Sequence, residues 1–327
     1  MIDELSALER IRARFGKVSK SVVLGIGDDT AAVKIHAKRL LLATTDSQVE
    51  DVHFIKRLFS ATDLARRSVA VSVSDIGAMG GIPKFFLASM GFSSEEDEAF
   101  LEELMDGFES GAKEFGLELI GGNLSSSNKI SIDITVLGEV EPKLIVKRNG
   151  GKPGDFLYVS GSVGDSALGQ KLLVTSKISE SDEYLIMRHK RPQPRLDLGR
   201  ELARKKLASS MIDISDGLLL DLERISIKQG LGATIYLDRI PLSSNYKKRI
   251  SDFSKDLYSI AISGGEDYEL LFSSSNENEE AIQELSRIQK IKITKIGHIT
   301  EQPSIHLLNE DGEEISYNDR GFVHFVS

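Results

Sequence analysis

The chain has 327 residues, 40% of them hydrophobic, a net charge of −9 and no Cys. That length gives about two domains with a substantial core. The acidic, evenly mixed charge argues against nucleic-acid binding, which needs a basic footprint, and the missing Cys excludes a disulfide framework, a thiolate nucleophile and thiolate-ligated zinc.

Taken in order, "MIDELSALERIRARF" places Ile2, Leu5, Leu8, Ile11 and Phe15 at helical spacing and is too charged for a signal peptide. No apolar run approaches the ~18 residues of a membrane span, so the expected compartment is the cytoplasm, with no membrane partner. "GIGDD" at Gly25–Asp29 sets two carboxylates side by side after a glycine turn. At about 4 Å and an effective dielectric of ~20 their repulsion is roughly 4 kcal/mol. Solvent exposure, a helix cap or a divalent cation would each offset it. "RLLLATTDS" (39–47) reads as a strand with a polar end. "ATDLARRSVAVSVSDIGAMGG" alternates like a strand, but its length and a cap at Thr62 or Asp63 favour a helix. In that helix Asp75 falls about 20° from Leu64 and about 40° from Val71, so a carboxylate lies on the apolar stripe and must be paired, protonated or metal-bound.

"KFFLASMGF" (84–92) is a buried strand, 97–116 an amphipathic helix ending in Gly, and "LELIGGNLSSS" a strand followed by a glycine turn. "ISIDITVLGEV" (130–140) alternates cleanly. A cluster of Pro142, Asn149, Gly150, Gly151, Pro153 and Gly154 marks a boundary, giving domains 1–147 and 148–327, both α/β. In the second, "FLYVSG", "GATIYLDRI", "SGGEDYELLF" and "KITKIGHIT" read as strands, and "SSMIDISDGLLLDLERI" as strand, turn and helix. "GSVGDSALG" (161–169) is a glycine turn opening a helix capped by Asp165, an ordinary strand–helix turn rather than a phosphate cradle. Neither a P-loop nor a G-x-G-x-x-G fingerprint occurs, and a nucleophile elbow is missing as well.

What repeats is Asp at the ends of apolar elements, beside Gly or Ser: Asp28 and Asp29, Asp46, Asp213 and Asp216, and the pair Glu266–Asp267. Each alone has a bland reading, as a turn pair, strand-end solvation, an N-cap or an exposed loop. Together, and without His ligands, they point to Mg²⁺ and phosphate, because Mg²⁺ pairs one or two carboxylates with substrate phosphate oxygens.

"GIGDDTAAV", "TTDSQVEDVHF", "SVSDIGAMGGIP", "LIGGN", "IDISDGL" and "SGGEDYEL" occur in that order. As an ordered set spanning nearly the whole chain they resemble the thiamine-monophosphate kinase family, in the superfamily of aminoimidazole ribonucleotide synthetase and selenophosphate synthetase. The resemblance implies a two-domain α/β fold of mixed sheets covered by helices, and a homodimer formed through the N-terminal sheets. It also implies Mg²⁺-assisted transfer of the γ-phosphoryl group of ATP to thiamine monophosphate. By motif, Asp29, Thr44, Thr45, Asp46, Asp75, Asp213 and Asp216 would hold several Mg²⁺ ions, with Asp29, Asp75 and Asp216 as the catalytic carboxylates. Gly121, Gly122, Arg148 and Ser215 would contact ATP, and His53, Glu266 and Phe322 the thiamine substrate. Asn123 stands where many relatives carry a metal-binding Asp; its amide can coordinate but brings no charge. The acceptor is already an ionised phosphate oxygen, so no general base is needed. Another ATP-dependent enzyme of the superfamily, or a non-catalytic metal- and nucleotide-binding regulator, are the alternatives. The missing Cys disfavours the selenophosphate and hydrogenase-maturation branches.

Overall fold

The computed structural model describes residues 4–17, 19–24, 32–93, 95–175, 178–319 and 321–322. They divide into two compact units, the first holding Met1–Ile76 and Gly81–Lys143, the second Gly77–Gly80 and Leu144–Ser327.

Unit 1 runs α1 (Glu4–Phe15), β1 (Val22–Leu24), β2 (Ala32–Val33), β3 (Leu40–Val49), α2 (Ala61–Ala78), β4 (Ile82–Phe92), α3 (Glu98–Phe115), β5 (Glu118–Ser126) and β6 (Ser131–Val140). A four-stranded sheet has the order β3-β6-β4-β5; β6 is antiparallel to β3 and β4, and β5 is parallel to β4. β6 alternates strictly between buried and half-buried residues, as "ISIDITVLGEV" requires. Its Ile132, Ile134 and Val136 are fully buried beneath helices, where Phe108 of α3 meets Phe86 of β4 at 6.1 Å. The ambiguous stretch 61–78 is a helix. Its cap is Ser60, whose hydroxyl accepts from the Asp63 N–H at 3.0 Å, two residues before Thr62 and three before Asp63. α3 is capped by Asp97, which accepts from the Phe100 N–H, and closes on a left-handed Gly116.

The glycine pair of "LIGGN" makes no turn: β5 passes straight through Gly121, Gly122 and Asn123. A register shift against β4 falls at Ile120. A Cβ on Gly122 would lie 2.0 Å from the Ala88 carbonyl oxygen, so glycine is there for close backbone approach between parallel strands rather than for chain reversal.

Unit 2 continues with β7 (Phe156–Ser160), α4 (Asp165–Leu173), α5 (Glu183–Lys190), α6 (Leu196–Arg204), β8 (Ser210–Asp213), α7 (Leu218–Ile225), β9 (Gly232–Tyr236), α8 (Ser244–Arg249), α9 (Ser259–Ser263), β10 (Leu270–Ser274), α10 (Glu279–Gln289), β11 (Ile293–Thr300) and β12 (Ile305–Leu308). Its sheet has the order β12-β9-β11-β7-β10-β8, with β12 parallel to β9 and the other pairs antiparallel. Both faces are covered. Leu157, Val159, Ile212 and Leu271 join α4, α7 and α9 residues in one core, while Tyr158, Met211, Leu270 and Phe272 join α6 and α10 residues in another. With both faces covered, β8 and β10 are buried at every residue and β7 at all but Phe156. β10 starts only at Leu270, so "SGGEDYE" precedes the strand.

Candidate active site

In unit 1 the seam between β3 and α2 collects polar side chains. Leu42, Thr44, Asp46 and Gln48 share one face of β3 by alternation. Fully buried Arg67 on α2 donates from Nε to the Gln48 Oε1 at 3.0 Å, and two turns on Asp75 accepts from the Thr44 hydroxyl at 2.5 Å. These two contacts bracket Asp46. Asp75 is therefore paired, but with a neutral hydroxyl. Thr45 points to the opposite face, where Thr135 donates to its hydroxyl at 3.1 Å, so the structure separates its side chain from those of Thr44 and Asp46. His53 closes the turn after β3: its Nδ1 accepts from the Val49 N–H at 3.0 Å, which leaves the proton of the neutral ring on Nε2. Asn123 is exposed on β5, opposite Ser89 of β4. Asp28 and Asp29 lie outside the described residues.

In unit 2, Asp213 ends β8 and is buried, and Ser215 and Asp216 lead into α7. Gly217, not Asp216, is the N-cap residue. The capping carboxylate is Asp221, fully buried one turn inside α7, which accepts from the Ser215 and Asp216 N–H groups at 3.0 and 3.1 Å. Burial pushes Asp221 up to about 6, against the pull of Arg224. Arg224 bridges Asp221 and Asp216, each at 2.5 Å, so a cation at Asp216 would compete with a guanidinium. The Phe322 N–H donates to the Asp216 carbonyl at 2.9 Å, and its ring is 47% exposed. Arg148 is exposed in the loop before β7 and makes no ion pair among the described residues.

The segment before β10 is strained. Glu266 and Tyr268 hold φ of 67° and 52°, a left-handed conformation uncommon for such residues. It turns Asp267 inward, where its two oxygens accept from the Gly164 and Ser166 N–H groups at 2.6 and 3.1 Å. The group at the N-terminus of α4 is thus the protein's own Asp267 carboxyl, and Asp165, the expected cap, instead accepts from the hydroxyls of Ser162, Ser243 and Tyr184. Burial pushes Asp267 up to about 8, opposed chiefly by Arg188 and the Gly164 amide. Glu269, fully buried, takes Arg188 at 2.9 Å and a fork from Arg195. Glu266 meets His189, with Nδ1 to Oε2 at 3.1 Å.

The sequence reading missed Asp221, Glu269, His189 and the arginines. The stripe test that singled out Asp75 applies equally to Asp221, which stands three residues after Leu218 and four before Ile225.

All the candidate metal ligands offer oxygen, which suits a hard cation and not a soft one. Among the described residues no three His, Asp or Glu side chains gather closely enough to hold a metal by themselves.

Residues 27–140 match the AIR synthase related protein N-terminal domain, and residues 152–308 the corresponding C-terminal domain. The chain is 34% identical to the thiamine-monophosphate kinase of Bacillus subtilis over 99% of this chain and 100% of that one. The crystal structure of thiamine-monophosphate kinase from Stenotrophomonas maltophilia superposes with a TM-score of 0.84 at 31% identity, covering 96% of this chain and 98% of that one. AaThiL complexed with AMPPCP and TMP gives a TM-score of 0.79 at 32% identity, covering 98% and 97%. Both units, in order and at full length, therefore place the chain in the thiamine-monophosphate kinase family of AIR synthase related proteins.

Proposed function

We propose a division of labour for the reaction that this membership assigns. The chain transfers the γ-phosphoryl group of ATP to thiamine monophosphate, giving thiamine diphosphate and ADP. The observation that carries the reading is the full-length likeness to kinases of this one activity, including AaThiL complexed with AMPPCP and TMP. Thr44, Asp46 and Asp75 in unit 1, and Asp213 and Asp216 in unit 2, would hold Mg²⁺, together with Asp29, Thr45 and Asn123. The metal, when bound, supplies charge neutralisation between two polyanions. Thr45 would serve through its backbone, since its side chain faces the other way. The Asp75 carboxylate is oriented by the Thr44 hydroxyl. Arg148, whose guanidinium is exposed, would contact the nucleotide, as would Gly121, Gly122 and Ser215. The Ser215 backbone is fixed at both ends, its N–H to Asp221 and its carbonyl to the Glu266 N–H at 2.7 Å. His53, the Glu266 carboxylate and the exposed ring of Phe322 would contact the thiamine substrate.

The exposed face of β3, with Leu41 at 48% and Ala43, Thr45 and Ser47 beside it, supports a homodimer through the unit 1 sheets. No described helix is long and apolar enough to cross a membrane, and a cytoplasmic enzyme is the reading we favour.

ADP release in the presence of ATP and Mg²⁺ tests the function. It should require thiamine monophosphate and be absent with unphosphorylated thiamine, whose alcohol would need a base. Binding of ATP and Mg²⁺ with no substrate-dependent turnover would leave a nucleotide-binding regulator instead.

A further inference from the structure

Two left-handed residues, Glu266 and Tyr268, flank Asp267, and side chains from several elements hold that short segment. The α4 N-terminus binds Asp267 through Gly164 and Ser166. Arg188 of α5 donates to the Asp267 carbonyl at 3.1 Å and to Glu269 at 2.9 Å. Arg195 and Ser160 complete Glu269, with Ser160 donating at 2.6 Å. His189, also on α5, has its Nδ1 at 3.1 Å from the Glu266 carboxylate and at 3.2 Å from the Ser166 hydroxyl.

A buried ionic network of this kind is a poor way to gain stability, since well-packed apolar side chains of similar volume do as well or better. What it fixes is direction. The strained backbone sends consecutive carboxylates opposite ways: Asp267 into the protein, Glu266 toward the surface. The Glu266 side chain keeps 23% exposure, while the His189 side chain behind it keeps 2%. His189 thus touches Glu266 from the protein side, and Ser166 ties the ring to the same helix terminus that anchors Asp267.

We propose that His189 is a positioning residue for substrate recognition. It holds the Glu266 carboxylate in the orientation that meets the non-phosphate part of thiamine monophosphate, acting from Nδ1 and touching no substrate itself. The proposal rests on the kinase reading above and on the substrate role of Glu266.

Two neutral replacements separate the ring positions. The amide nitrogen of His189→Asn stands where Nδ1 stands, whereas that of His189→Gln reaches the place of Nε2. Full-length wild type and variants are compared by steady-state kinetics and by direct binding of thiamine monophosphate in the presence of a non-hydrolysable ATP analogue and Mg²⁺. His189→Gln should raise the KM and Kd for thiamine monophosphate about tenfold, leaving the KM for ATP within about twofold, and His189→Asn should restore most of the loss. On a Glu266→Gln background neither change should weaken binding further, because the histidine acts only through that carboxylate. Equal behaviour of the Asn and Gln variants, a parallel rise in the KM for ATP, or additive losses on the Glu266→Gln background would each overturn the positioning role. If wild type forms no ADP in response to thiamine monophosphate, the kinase reading itself falls and takes this inference with it.

Discussion

Asp75 in unit 1 and Asp267 in unit 2 are both carboxylates set among apolar neighbours, yet the fold treats them differently. Asp75 is half-buried on the β3–α2 seam, and among the described residues its partner is one neutral hydroxyl. Asp267 is fully enclosed, with two helix-terminal amides on its oxygens and Arg188 on its own carbonyl. Asp221 and Glu269, both fully buried, likewise meet guanidinium groups. A carboxylate matched inside the protein has a structural task. One met only by a hydroxyl that can rotate is left for a ligand, since a hydroxyl can accept as readily as donate.

The sharpest break in that contrast is Asp75→Asn. The amide oxygen can still accept from Thr44, so the fold should survive, with a melting temperature within a few degrees of wild type. The charge that anchors a cation is gone, and turnover should fall by about a thousandfold or more. Near-normal turnover at ordinary Mg²⁺ would remove Asp75 from the metal site, and an unfolded variant would make it structural, like Asp267.

Asp267→Asn probes the other side of the contrast. Burial pushes the folded carboxyl up to about 8 from its ordinary value of 3.8. The stability it contributes is therefore complete below about pH 4 and lost as the pH rises through about 8. An asparagine has no such dependence, and its NH₂ faces one helix amide it cannot accept from, a constant loss of about 1 kcal/mol. Wild type should thus be most superior to the variant near pH 4, with the gap in melting temperature narrowing by at least about 3 °C toward pH 8. Differencing against the variant cancels Asp221 and Asp165, which are raised too. Parallel melting curves across that range would show Asp267 ionised throughout, held so by Arg188 and the amides.

How much of this was legible in the sequence depended on whether the signal was periodic. β6 and α3 followed from alternation and from an amphipathic helical period closed by Gly, both local rules. Asp75 followed from helical geometry. The role of "GG" did not, because a glycine demanded by a neighbouring backbone looks the same in one dimension as a glycine demanded by a turn. Only the strand partner, Ala88, distinguishes them. Asp165 lost its expected capping role to Asp267 for a similar reason: the carboxyl that caps α4 lies 103 residues along the chain from Gly164. The buried arginines of unit 2 were illegible, since nothing local separates a solvated Arg from one that meets Glu269 in the core.

That correction bears directly on Asn123. In a glycine turn, its amide could have served only to close the turn by a side-chain–backbone bond. Inside β5 that reading disappears: the backbone is held in register opposite Ser89, and the exposed side chain is left to other work. As a Mg²⁺ ligand the amide oxygen acts as a dipole and not a charge, so its metal should be the most weakly held of the set. Asn123→Asp should then lower the Mg²⁺ concentration for half-maximal rate about three- to tenfold, the size of one charge-assisted contact, with little change at saturating Mg²⁺. Asn123→Ala should raise that requirement. Because the side chain is exposed, neither change should alter the melting temperature measurably. Superimposable Mg²⁺ titrations of the three proteins would detach Asn123 from the metal site and leave Asp46 and Asp75 as the carboxylates that unit 1 contributes from its described residues.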